Sequence, residues 1–237
     1  MTTRQLTIHI DATGVTALDA LSQKVTVVKS ATNLPYAVVW QAFAPVQNSL
    51  VTWDPDFCVY ESSTVLDLTA VLRVGTTAPA AGGNTYTFSG GEFDAGTSNL
   101  PATQFGIANN DANIIVNGVA MFTGGLIQTA TVNGGSTANP LDAQAIGYGE
   151  RAFTTVTVTV TVTVTVTVTV TVTDSVLVFP ANGVTNGTLL AWSWLGASHD
   201  DIVDFGIVMG EPLLIDLTTT TQQTVRYNDP TNSFVLA

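Results

Sequence analysis

The chain has 237 residues, a formal net charge of −12 and only 10% charged residues, while 46% of its residues are apolar. This length is enough for one large β domain with a sizeable core, and the composition excludes a disordered chain. Eighteen acidic residues stand against six basic ones, so a nucleic acid is a poor partner because a polyanion is repelled. The single cysteine, Cys58, excludes an intrachain disulfide and a cysteine-rich metal site.

The first residues lack the apolar stretch and small-residue cleavage site of a signal peptide. We therefore expect a cytoplasmic protein or one exported by a non-classical route, and the compartment itself stays open. No run of about 18 uniformly apolar residues predicts a transmembrane helix.

Short strand patterns separated by turn residues fill most of the chain. Leu6, Ile8 and Ile10 alternate with polar residues, and the segment from Thr16 to Leu21 predicts a helix of at most two turns. Further strands are predicted at 25–29, 36–43, 49–53, 57–61, 65–74, 85–88, 103–107, 114–122, 126–132, 188–194, 203–208, 213–217, 223–227 and 233–236.

Turn signals separate these strands. Gly124-Gly125 predicts a turn between two of them, and Asn133-Gly134 and Asn139-Pro140 predict a loop. A strand every 8–12 residues or so is typical of a sandwich or barrel. We predict an all-β fold, an antiparallel β-sandwich or jelly-roll-like arrangement, forming one domain over 1–237 with a possible sub-boundary in the Gly-, Ala- and Asn-rich region 75–113.

The most unusual segment is a strict alternation of Thr and Val from Thr155 to Thr173. Both residues are β-branched and favour strands, and the alternation gives one Val face and one Thr face. A continuous strand of this length would reach roughly 60 Å. Residues 176–179 are apolar on both faces, so we predict one unusually long Thr/Val strand over 154–179 that ends in a core strand.

Three interpretations of this tract stay open. It is a neutral low-complexity expansion of an ordinary strand, an unprotected edge through which copies of the chain assemble, or an amphipathic membrane strand of a β-barrel pore. The assembly hypothesis assigns the contact to the valines of the tract: Val156, Val158, Val160, Val162, Val164, Val166, Val168, Val170 and Val172.

Catalytic motifs are absent from the sequence, and no nucleophile elbow, zinc-protease helix, phosphate loop or dinucleotide fingerprint is found. Cys58 lies in an apolar run and is expected to be structural. Asp200, Asp201 and Asp204 are weak Ca²⁺ candidates without the spacing of an EF-hand, and we favour solvated turn residues instead. We therefore expect neither an enzyme nor a cofactor.

Exposed tryptophans beside hydrogen-bonding side chains would suit a sugar. The best positions for a glycan contact are Trp53 with Asp54, and the pair Trp192 and Trp194 on one face of a strand. In a sandwich, however, paired tryptophans on one face more often belong to the core.

Several segments resemble a group of uncharacterised, largely fungal β-rich proteins. These segments are Tyr36-Ala-Val-Val-Trp40, Asn48 to Trp53, Val59-Tyr60, Asn133-Gly134, Asn139-Pro-Leu141, Asp204-Phe205 and Val225-Arg-Tyr227. The group has no established activity, so the resemblance implies no site residues. It implies that the segment 155–173 is longer than the usual strand of the group at this place.

The function expected from the sequence is that of a non-catalytic structural protein. It self-associates through strand edges as a homo-oligomer or filament, and its main partner is another copy of itself. The alternatives are a pore-forming β-barrel that uses 155–173 in a membrane, and a lectin-like glycan-binding sandwich.

Overall fold

The computed structural model describes residues 3–32, 36–156, 169–191, 195 and 207–237, and 57% of it is strand against 7% helix. These strands form two ten-stranded sheets, and neither sheet closes into a barrel. The all-β sandwich predicted from the sequence is therefore confirmed. No helix among the described residues is long and apolar enough to cross a membrane.

The first sheet, sheet 1, has the order β20-β19-β1-β4-β12-β5-β6, and three further strands pair with β12. Its strands are β1 (Arg4–His9), β4 (Asn48–Trp53), β5 (Phe57–Ser62), β6 (Thr77–Ala80), β11 (Ile115–Val116), β12 (Val119–Val132), β13 (Gly135–Pro140), β14 (Gln144–Gly147), β19 (Gln222–Asn228) and β20 (Ser233–Leu236).

The second sheet, sheet 2, has the order β17-β3-β2-β16-β15-β10-β7-β8, with β18 beside β16 and β9 beside β7. Its strands are β2 (Lys24–Thr32), β3 (Tyr36–Phe43), β7 (Asn84–Ser89), β8 (Glu92–Phe93), β9 (Thr97–Ser98), β10 (Gln104–Asn109), β15 (Arg151–Val156), β16 (Thr169–Ala181), β17 (Leu189–Ala191) and β18 (Leu213–Ile215). Most pairs are antiparallel, but β1 with β19, β7 with β10 and β15 with β16 are parallel.

The main core lies between the two sheets. Alternate residues of each strand point inward, so Leu6 and Ile8 of β1 meet Val25 and Val27 of β2 in one cluster of buried side chains. Phe88 of the region 75–113 belongs to the same cluster, and this region supplies strands to both sheets.

Residues 176–179 of strand β16 are buried on both faces, as the sequence predicts. Val176 and Val178 face the main core, while Leu177 and Phe179 pack into a second cluster on the other side of sheet 2. Leu177 is the most exposed of the four at 8%.

The helix α1 (Ala12–Ala20) begins earlier than the sequence suggested. Asp11 is the N-cap residue, and its carboxylate accepts a hydrogen bond of 2.7 Å from the backbone N–H of Gly14. Thr16, where the sequence predicted the start of the helix, lies inside it, and its hydroxyl donates to the carbonyl of Ala12. A second helical element, a 3₁₀ turn, covers Asp229–Thr231.

One predicted strand and one predicted turn are corrected. The segment 65–74 forms no strand, and Val71 makes only an isolated bridge to Thr188. Gly124 and Gly125 lie inside one continuous strand, β12, and not in a turn. The reason is close packing: a Cβ atom on Gly125 would lie 2.7 Å from both the carbonyl and the carboxylate oxygen of Asp142.

Candidate functional site

The two ends of the Thr–Val tract lie side by side in sheet 2. Strand β15 contains Thr155 and Val156, and these residues align in parallel with Thr171 and Val172 of β16. At ~3.3 Å per residue and ~4.8 Å between strands, Val156 and Thr169 lie roughly 11 Å apart, whereas one continuous strand would separate them by roughly 43 Å. Residues 154–179 therefore do not form the one continuous strand predicted from the sequence, and the long strand is β16 (Thr169–Ala181), with 13 residues.

Of the described valines of the tract, Val156 and Val172 do not offer a free edge, and Val170 aligns with Thr154 of β15 on one side. Val156 is partly buried against the main core. Val172 has β15 on one side and β2 on the other, so its backbone already has strand partners on both sides. The remaining predicted contact valines from Val158 to Val168 lie outside the described residues.

A free edge occurs instead on β13, which forms a hairpin with β12 in a segment where the sequence predicted a loop. Asn133 and Gly134 have φ angles of +50° and +87°, as a two-residue type I′ turn requires. Strand β13 then pairs with β12 from Gly135 opposite Val132 to Pro140 opposite Ile127. The Asn-Gly signal of a tight hairpin was present in the sequence, but Gly, Ser, Asn and Pro in the following segment obscured the strand.

The register determines which backbone groups of β13 face outward. Residues that flank a two-residue turn form a hydrogen-bonded pair, and hydrogen-bonded and non-bonded pairs then alternate along the ladder. Ser136 and Ala138 therefore direct both N–H and C=O away from β12. Pro140 also faces outward but has no N–H.

The outer edge of β13 is exposed and uncharged. Residues 135–138 are all exposed, and β13 pairs only with β12 among the described strands. Its position is fixed from the inner side, since the Thr137 hydroxyl donates to Gln41 Oε1 of β3 at 3.2 Å and Asn139 Nδ2 donates to Thr137 Oγ1 at 3.0 Å.

The strands at the ends of the two sheets are better protected. Strands β20, β6, β17 and β8 have four, four, three and two residues. Short length and proline are common protections of an edge, and β6 also contains Pro79. Strand β13 has six residues and no charged side chain, so neither short length nor charge protects it, and its proline lies at the last position, Pro140.

The predicted glycan contacts fall into two groups. Trp53 and Asp54 are brought to one pocket on sheet 1, together with Asp56. Trp53 is only 3% exposed, however, so its ring offers no open face on which a sugar could stack. Trp192 and Trp194 lie outside the described residues.

A buried lysine is the polar feature that sequence reasoning missed. Lys29 is 2% exposed, and its Nζ lies 4.7 Å from the ring centroid of Trp40 and 4.1 Å from that of Trp53. Burial lowers the pKa of Lys29 to about 7, against the attraction of Asp174, while Arg4 lowers it further. The sequence contained one signal for this burial. Lys29 follows Val27 by two residues and Val25 by four, so in a strand it shares their inward face.

The remaining candidates form no catalytic arrangement among the described residues. Burial raises the pKa of the Cys58 thiol, which is half-buried, and this disfavours the reactive thiolate. His9 Nδ1 lies 2.6 Å from Asn48 Oδ1. No group of three or more His, Cys, Asp or Glu side chains that could hold a metal occurs in the described part of the chain. His199, Asp200, Asp201 and Asp204 lie outside it.

Comparison with known proteins adds no identity. No protein family, no curated protein and no solved structure matches this chain. The resemblance to largely fungal β-rich proteins stays a prediction.

Proposed function

We propose that the protein is a non-catalytic structural protein that self-associates through a strand edge, and that the edge is β13. The observation that supports this most is the exposed, uncharged outer edge of β13. Unpaired edges of this kind pair with other chains unless charge, proline or a covering element protects them.

A second copy of the same chain fits this edge by symmetry. In a two-fold antiparallel arrangement Ser136 of one copy lies opposite Ala138 of the other, and both pairs exchange N–H···O=C hydrogen bonds. Thr137 then lies opposite Thr137 of the other copy. The pairing joins two copies of sheet 1 into one continuous sheet and uses up both edges, so it closes as a dimer.

The charge of the chain sets the conditions for association. Each copy has a formal net charge of −12, so two copies repel at low ionic strength. At physiological salt the Debye length is about 8 Å, and charges farther apart than this are largely screened. The dimer is therefore expected at physiological salt and should weaken as salt is removed.

The variant A138P tests the proposal. Proline removes the outward N–H of residue 138 and leaves the hydrogen bonds to β12, since that N–H does not point to β12. Wild-type protein and the control A138S, which keeps the N–H, should be dimers by light scattering at physiological salt. A138P should be a monomer with an unchanged circular dichroism spectrum. A monomeric wild type, or a dimeric A138P, would refute the proposal.

A further inference from the structure

An ion pair connects the two sheets at the start of β1. Arg4 of sheet 1 donates from Nη2 and Nε to Asp174 Oδ2 of sheet 2, at 2.7 and 3.3 Å. The side chains are 19% and 25% exposed, so water can reach both of them. No other ion pair is found within the described ranges of the chain, and this contact is therefore the one charged tie between the sheets there.

Asp174 lies in a bulge of β16 near the buried amine of Lys29. Strand β16 pairs with β2 at Val172 and again at Val176, and the register shifts between these two positions. Residues 173–175 therefore lie opposite a single residue of β2, and Lys29 aligns with Val176. Asp174 attracts the charge of Lys29, while Arg4 repels it. One carboxylate thus has two cations as neighbours.

The surroundings of Lys29 accept a neutral amine better than a charged one. The side chain is 2% exposed, and the rings of Trp40 of β3 and Trp53 of β4 lie 4.7 and 4.1 Å from Nζ. Among the described residues, only Asp174 and Arg4 act on Lys29 through their charge, and no carboxylate lies at ion-pair distance from Nζ. A protonated amine here is a buried charge without a partner, which is unfavourable. Burial lowers the pKa of Lys29 to about 7, so the amine gains its proton near neutral pH.

We propose that Asp174 exchanges cations with pH: it pairs with Arg4 while Lys29 is neutral, and it turns to Lys29 Nζ when this amine takes up a proton. Arg4 is half-way to solvent and can be hydrated by water, whereas buried Lys29 cannot. Since Lys29 and Asp174 both belong to sheet 2, the exchange removes the charged tie to sheet 1. Acid pH therefore loosens the start of β1 from sheet 2. This contact is independent of the β13 edge.

A double-mutant cycle on the full chain tests the exchange. The variants R4M and D174N and their combination are unfolded in urea at pH 8.5 or so and at pH 6 or so. Their coupling is the factor by which the unfolding equilibrium constant of the double variant departs from additivity. The cycle is repeated in the K29M background, which removes the titrating amine, and in the control background R151M, which removes an exposed cation instead.

We expect a coupling of about 2- to 5-fold at the higher pH, as for other partly exposed ion pairs. At the lower pH it should fall to about 1 in the wild-type and R151M backgrounds and stay unchanged in K29M. Equal coupling at both pH values with Lys29 present would overturn the proposal, and so would an equal fall in K29M.

A second measurement needs no unfolding and no variant at Arg4 or Asp174. The ¹⁵N-detected Nε–H resonance of Arg4 should shift with a midpoint near pH 7 in the wild type, because its partner leaves as Lys29 is protonated. In K29M the same resonance should not move over this range. An Arg4 resonance that stays constant in the wild type, or that titrates equally in K29M, would refute the exchange.

Discussion

Lys29 places an amine inside the core of the sandwich. Its Nζ has the ring faces of Trp40 and Trp53 within 5 Å, and the nearby ion pair of Arg4 with Asp174 has a distance of 2.7 Å. The two indole faces favour the protonated amine, whereas burial disfavours it. Burial lowers the pKa of Lys29 from 10.5 to about 7, so it outweighs the attraction of Asp174.

Replacing this amine by an apolar side chain should stabilise the protein. We expect K29M to raise the free energy of unfolding by about 1–4 kcal/mol at pH 6, as replacements of buried charges by apolar groups often do. The gain depends on pH. Between pH 7 and 10.5 the unfolded chain holds a proton that folded Lys29 has released, so wild-type stability rises with pH in this window.

The advantage of K29M should therefore be largest below pH 7 and shrink as the pH approaches 10. Urea unfolding at pH 6 and at pH 9.5 or so measures it. R151M serves as the control, since Arg151 is exposed and its replacement should change stability by less than about 0.5 kcal/mol. A K29M variant less stable than wild type at pH 6 would contradict the burial penalty.

Gly125 shows why the Gly-Gly pair belongs inside a strand. The buried Asp142 accepts hydrogen bonds from the backbone N–H of Leu126 at 2.7 Å and from the Thr154 hydroxyl at 2.8 Å. Burial raises the pKa of the Asp142 carboxyl, and these hydrogen bonds oppose the rise. Asp142 thus joins β12 of sheet 1 to β15 of sheet 2, and it fits only because residue 125 has no side chain.

We expect G125A to lower the free energy of unfolding by about 1–3 kcal/mol, because its methyl group would overpack against Asp142. G135A, in the same hairpin, is the matched control: a Cβ there meets only the Val132 carbonyl, at 3.5 Å. Its unfolding midpoint in urea should equal that of the wild type or exceed it slightly. Equal midpoints for G125A and G135A would show that the contact with Asp142 is not tight.

At the scale of the elements, the parallel pairing of β15 with β16 is the main departure from the sequence prediction. The alternation of Thr and Val predicts strand correctly wherever the tract is described. It contains no signal for the register, because a shift by two residues preserves both faces. Flanking residues determine the pairing: Ala152 of β15 and Val176 of β16 are both anchored in the main core.

A designed disulfide distinguishes the two arrangements. In a background with C58S, T155C and T171C should form an intramolecular disulfide on mild oxidation, since partners in neighbouring strands have the Cα spacing that a disulfide needs. In one continuous strand these residues would be roughly 53 Å apart. The control pair T155C and S175C is out of register and should not close. Failure of T155C/T171C, with folding intact by circular dichroism, would refute the parallel register.

Other elements show what a sequence pattern can and cannot predict. The two buried faces of 176–179 were predictable, because four apolar residues in a row leave no face for water. Strand β13 was not predictable, since Gly, Asn and Pro have low strand propensity and only pairing with β12 makes the segment extended. Trp53 and Asp54 were predicted to lie in one site. Thr131 lines the same pocket but lies 77 positions away from Asp54 in the sequence, and only the sheet register brings it there.

At the scale of the whole molecule, the sandwich has two contrasting kinds of edge. The ends of both sheets are short strands, while β13 is a longer strand that leaves the backbone of Ser136 and Ala138 open. The side chains of β13 are mostly polar, so this edge is not an apolar patch. Association through β13 is therefore made by backbone hydrogen bonds. Such an interface is specific in register and sensitive to any change that removes an amide.

The most direct test of self-association is a disulfide across the two-fold axis. In the C58S background, T137C places a thiol opposite its own copy, at a non-hydrogen-bonded pair where Cα atoms are about 4.5 Å apart. S63C, another exposed position, is the control. Non-reducing electrophoresis after mild oxidation at physiological salt should show a covalent dimer for T137C and monomer for S63C. T137C that stays monomeric, or that cross-links no faster than S63C, would contradict the pairing of β13 with β13.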